Sequence, residues 1–125
     1  MKIPSTIMAA RDKQGETNDC AVISIAIATG KTYDEAHTAL RRAGRRRRRG
    51  CSTSVMQTAL WLLGFEFEKL DTWKGKTPAT LTLPRKDNYI ALTCDHALAI
   101  KFGLIKDWTD GRRHRITEVW KIIPR

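Results

Sequence analysis

Four side chains in this sequence have types and spacings suited to thiol chemistry: Cys20, Gln14, His96 and Asp107. Cys20 opens the segment Asp19–Thr29, DCAVISIAIAT, which is apolar nearly all round and stops at Gly30. Asn18 or Asp19 suits an N-cap and Gly30 suits the residue after a helix end, so the segment reads as a buried helix. Its β-branched residues leave a strand as the minority alternative. A cysteine in the first turn of a helix meets unpaired backbone N–H groups and the positive end of the dipole, which favour the nucleophilic thiolate. The same N–H groups can hold the oxyanion of an acyl-transfer transition state. Gln14, six residues upstream, offers a side-chain amide as a second oxyanion donor.

A thiolate nucleophile needs a base, and there are three histidines. His37 falls on a second helix among residues read as polar and exposed. His114 sits in Arg112-Arg113-His114-Arg115, where positive neighbours oppose an imidazolium. His96 opens the otherwise apolar strand His96-Ala97-Leu98-Ala99-Ile100 and is the best placed. With Phe102-Gly103 as a two-residue hairpin loop, Lys101 pairs with Leu104, Leu98 with Asp107, and His96 with Thr109. Asp107 then shares a face with His96 one diagonal step away, roughly 7 Å between Cβ atoms. That is within reach of orienting the imidazole. Asp95 adjoins His96 in sequence but points to the other face. A register change of one residue turns Asp107 away, and Phe is a poor residue for the positive φ such a turn requires.

Each of these residues also has a plain structural role open to it. Cysteine is among the most often buried residue types, so Cys20 can be core packing. His96 can be a satisfied strand histidine, Asp107 a strand end, and Gln14 an exposed loop residue. Cys94 shares a face with His96 and is a rival nucleophile, although no helix terminus serves it. Cys51 reads as an ordinary, somewhat exposed thiol. No C-x-x-C spacing occurs, and further ligands for a Cys94–His96 pair are not apparent, so no metal site and no cofactor are expected.

The elements that must position these groups divide the chain into helices first and strands after. Residues 1–17 read as irregular, with Pro4 and Gly15 as breakers. After the Cys20 helix, a second helix runs from Thr32 to about Ala43 with Ala36, Ala39, Leu40 and Ala43 on one face. Ser52 or Thr53 caps a third, which carries Val55, Met56, Ala59, Leu60 and Leu63 and ends at Gly64. Phe65–Leu70 alternates as a strand. Residues 71–88 are loop-rich, with Gly75, Pro78 and Pro84. Tyr89–Cys94, His96–Lys101, Leu104–Trp108 and Ile116–Ile123 read as strands. The fold class is therefore α+β, in one domain spanning 1–125, with helices packed on a C-terminal antiparallel sheet. Trp61 and Trp120 are expected in the core, while Trp108 is placed to wall the cleft.

The chain has 125 residues and a net charge of +10, and 42% of its residues are hydrophobic, which is normal for a globular domain. Arg41, Arg42 and the run Arg45, Arg46, Arg47, Arg48, Arg49 form one basic block, and residues 111–125 form a second. The rest is nearly neutral. The arginine run, within a loop at 44–50 bracketed by Gly44 and Gly50, reads as solvated because five adjacent like charges repel. Such a loop attracts polyanions, so nucleic acid or an acidic protein is a candidate partner, with affinity that falls as salt rises. Four tryptophans are scattered and form no stacking platform. No apolar run is long enough for a membrane span, and the N-terminus turns polar too early for a secretory signal. Three cysteines cannot all pair within one chain, so free thiols in a reducing cytoplasm are the default.

A cysteine at a central helix start, a glutamine six residues before it, and a later histidine and acid on neighbouring strands resemble the papain-like cysteine peptidase fold. Residues 18–36, NDCAVISIAIATGKTYDEA, look like a group of small phage-encoded proteins of that fold. His96–Ile100, Asp107-Trp108 and the Gly-flanked basic loop are similar too. The resemblance implies Cys20 as nucleophile, His96 as general base, Asp107 as orienting acid and Gln14 as oxyanion donor. It implies a thiol hydrolase acting on a protein or peptide substrate by peptidase, isopeptidase or amide acyl-transfer chemistry, in the host cytoplasm. Papain itself carries Asn where Asp107 stands and a bulky aromatic where Ala21 stands. A catalytically inactive binding module on the same fold is the alternative.

Overall fold

The computed structural model describes residues 3–71, 83–93, 96–106 and 115–125. Among these it has four helices followed by five strands, α1 (Ser5–Gln14), α2 (Cys20–Thr29), α3 (Tyr33–Ala43), α4 (Thr53–Leu62), β1 (Phe65–Leu70), β2 (Asn88–Leu92), β3 (Ala97–Lys101), β4 (Leu104–Lys106) and β5 (Glu118–Pro124). The class is α+β. The strands form one antiparallel sheet in the order β1-β5-β2-β3-β4, so the last strand is inserted between the first two. None of the described helices is long and apolar enough to cross a membrane.

Alternation along the strands sorts the sheet's two faces. Ile90, Leu92, Ala97, Ala99, Trp120 and Ile122 pack with the helices in the main core. Tyr89, Ala91, Leu98, Ile100 and Val119 point the other way and join Ile116 in a second cluster. Helix α2 lies in the middle of the first face. Every residue from Ala21 to Ala28 is buried, which explains a helix with no polar side, and its β-branched residues do not make it a strand. Helix α3 starts with a capping box, Thr32 accepting from the Glu35 N–H while Glu35 accepts from the Thr32 N–H. In α4, Ser52 is the cap, accepting from the Val55 N–H.

Several sequence expectations change. Residues 5–14 are helical rather than irregular, because Pro4 and Gly15 bound the helix instead of breaking it. The Pro4 carbonyl accepts the first helical bonds, and Gly15 closes the end at φ 66°. Trp61 is 52% exposed, with the Arg125 guanidinium 3.8 Å from its ring centre, whereas Trp120 is fully buried as expected. The Phe102-Gly103 loop does turn the hairpin, with φ 55° and 74°, and the register Lys101↔Leu104 and Ala99↔Lys106 is the one the two-residue loop dictates. Cys94, Asp95, Asp107, Trp108 and His114 lie outside the described residues, as do 72–82 of the loop-rich segment.

Candidate active site

Two carboxylates set the backbone that enters α2. Asp19 is fully buried, and its side chain does not cap the helix. It accepts two bonds from Arg11 Nε, at 3.0 and 2.9 Å, and one from the Tyr33 hydroxyl at 2.8 Å. Glu16 is 4% exposed and accepts from both terminal nitrogens of Arg45 at 3.1 Å, from the Arg48 N–H at 2.9 Å, and contacts His37 Nε2. Burial by itself would raise the Glu16 pKa, but Arg45, His37 and the Arg48 N–H outweigh it and hold the carboxyl down at about 2. Tyr33 moves the opposite way: burial and the neighbouring Asp19 carboxylate both oppose its ionisation and raise its pKa.

These contacts correct two expectations. His37 is buried, not exposed, stacked on the Tyr33 ring with 5.9 Å between ring centres. The arginine run is not uniformly solvated. Arg45 is 5% exposed, while Arg46, Arg47, Arg48 and Arg49 are exposed. Three of the five arginines bind the segment before the cysteine: Arg45 turns in to Glu16, Arg47 binds the Gln14 carbonyl and amide oxygen, and Arg48 Nε donates to the Gly15 carbonyl. The loop is thereby laced to residues 14–18, directly before the cysteine.

Cys20 is the first residue of α2 and is half-buried. It lines a cavity of about 450 Å³ whose walls also carry Cys51, Met56, Thr93, His96 and Glu118. Strict strand alternation would send His96 to the face away from α2, with Leu98 and Ile100. His96 lies one residue before β3, where strand alternation no longer fixes the direction of its side chain. Its carbonyl instead accepts from the Thr93 N–H at 2.8 Å and from the Thr93 hydroxyl at 3.3 Å. The histidine thus reaches the rim of the sheet at the end that faces the start of α2.

Gln14 is not brought to this cavity. Its Nε2 donates to Asp34 at 3.1 Å, its Oε1 accepts from Arg47, and it lines a separate hollow with His37 and Arg41. The reason is that α1 is helical to Gln14, which aims the side chain at α3. The Asp19 side chain does not cap the N–H groups at the start of α2, since its carboxylate is turned to Arg11 and Tyr33.

Two lining residues escape sequence reasoning. Cys51 follows the basic loop, and only the return of α4 to the sheet places it beside Cys20. Burial raises its thiol pKa, with Arg45 opposing and Cys20 adding to the rise. Glu118, at the start of β5, brings a carboxylate that accepts from the Trp120 indole N–H at 2.9 Å and pairs with Lys69 at 3.4 Å. No spacing in the sequence links it to Cys20. No group of three metal-ligating side chains occurs among the described residues. No protein-family model, curated protein or solved structure matches the chain.

Proposed function

We propose that the protein is a papain-like thiol hydrolase acting in the cytoplasm on peptide, isopeptide or related amide bonds. The observation that carries this reading is that Cys20, at a helix start, and His96, at the sheet rim, line one cavity. Cys20 attacks the carbonyl carbon, its proton passes to His96, and the oxyanion takes the N–H groups of the first turn of α2. His96 then protonates the leaving amine, and water cleaves the thioester to release acid and restore the thiol. Asp107 is the orienting acid by family resemblance. Glu118 is a second carboxylate within the described cavity.

Alkylation with iodoacetamide, read by mass spectrometry, tests the nucleophile. Cys20 is expected to react first, ahead of Cys51, which is also half-buried but whose thiol pKa is raised, and His96→Ala is expected to slow any hydrolysis by about 10²–10⁴-fold. Modification of Cys51 or Cys94 while Cys20 stays untouched overturns the reading. Comparing Asp107→Asn with Glu118→Gln identifies the acid that orients His96.

The exposure of Arg46, Arg47, Arg48 and Arg49 favours a second reading, a non-enzymatic module that docks nucleic acid or an acidic protein. It fails if neutral replacements leave polyanion binding and its salt slope unchanged.

A further inference from the structure

Separate from the Cys20 cavity, and sharing no lining residue with it, is a polar hollow of about 300 Å³. It is lined by Gln14, His37, Thr38, Arg41, Arg45 and Arg47. Three of these six residues are arginines. Arg45 is matched by Glu16 and Arg47 spends its terminal nitrogens on the two oxygens of Gln14, which are neutral, while Arg41 has no carboxylate partner among the described residues. Arg45 spends both terminal nitrogens on Glu16 and on the carbonyls of Thr17 and Asn18, yet its buried Nε–H has no acceptor. A buried donor left without a partner is costly, and so is like charge gathered in one recess. Both costs are relieved by a single ligand that is anionic and rich in acceptors.

We propose that this hollow is a phosphate-binding site, taking a free phosphate or the terminal phosphate of a small ester. The Arg41 fork matches a tetrahedral oxyanion, and Arg47 would exchange the neutral oxygens of Gln14 for a charged acceptor. The Thr38 hydroxyl, exposed on α3, adds a neutral donor on the same wall. The volume admits a phosphate and part of the group it is attached to, but not a stacked nucleic-acid strand. The site goes beyond the hydrolase reading and stands without it, since Cys20 is not part of it.

Titration calorimetry on the full chain at constant ionic strength, with inorganic phosphate, chloride, adenosine 5′-monophosphate and adenosine, tests the proposal. Phosphate is expected to bind one per chain and about tenfold or more tighter than chloride, and Arg41→Gln and Arg47→Gln each to weaken it about tenfold. Arg49→Gln and Cys20→Ser, both outside the hollow, leave it unchanged. Tighter binding of the monophosphate than of phosphate, with none of adenosine, assigns the site to a phosphate ester; the reverse order assigns it to the free ion. Binding no tighter than chloride overturns the proposal. So does an Arg49→Gln loss equal to that of Arg47→Gln, which would mark a diffuse basic field. Arg41 and Arg47 are exposed, so their variants fold, and a thermal melt verifies it.

Discussion

Glu16 shows how one side chain can hold a functional segment in place. Its carboxylate gathers Arg45, His37 and the Arg48 N–H within the bend that leads to Cys20. Burying a carboxylate is unfavourable, and only this set of partners makes the ionised form the stable one. The folded pKa of about 2 lies below the unfolded carboxylate value of about 4.3. The stabilisation is therefore complete above the unfolded value and is lost as pH falls from about 5 to about 2. Urea unfolding at pH 7, 4 and 3 should show this loss. Glu16→Gln should reduce the acid-dependent part and cost about 3–5 kcal/mol at pH 7, because Arg45 is left buried without its counter-charge. Parallel loss of stability with pH in the native protein and the variant would contradict this account.

Among the elements, the starts of α2 and β3 meet at the proposed site, and the far end of β3 turns into β4 through a hairpin built differently. Helix α2 has an acid at its N-cap position whose side chain is turned away, so that side chain leaves the first-turn N–H groups uncapped, at some expense to helix stability. The hairpin carries a different strain. Phe102 sits at φ 55°, a conformation that Asn or Gly adopts more easily, and its side chain is 62% exposed. Phe102→Asn should therefore stabilise the fold by up to about 1 kcal/mol in chemical denaturation without changing the strand register. A loss of stability would mean that the ring makes contacts of greater value than the strain it imposes.

Across the whole molecule, the net charge of +10 is concentrated rather than uniform, and the arginine run serves two physical purposes. Arg45 belongs to the interior and the exposed members to the outer field. On the polyanion-docking reading, Arg46→Gln with Arg49→Gln should lower the salt slope of duplex DNA binding by about one unit per arginine in phosphate contact, with stability changed by less than about 0.5 kcal/mol. Arg45→Gln should do the reverse, costing about 3–5 kcal/mol with little specific effect on the slope. Anisotropy titrations at several salt concentrations, beside urea melts, separate the two. Equal behaviour of the two variants would show that the run acts as one unit.

The sequence carried the α+β class, the glycine that ends α2, the cap of α4, the hairpin register and the helix-start position of Cys20. All of these rest on local spacing, and local spacing is legible where neighbouring residues set backbone geometry. It did not carry α1, because a helix with only Ile7 buried has no apolar stripe to read. The burial of His37 and Arg45 was hidden for a related reason. Residue type argues for exposure, and only a carboxylate 21 and 29 positions away in the chain reverses that argument. Tertiary structure alone decided that Gln14 faces α3, that Cys51 and Glu118 join Cys20 and His96 around one cavity, and that three arginines share a second. Such groupings depend on where whole elements pack, and hydrophobic burial settles that across the molecule without any short-range signal.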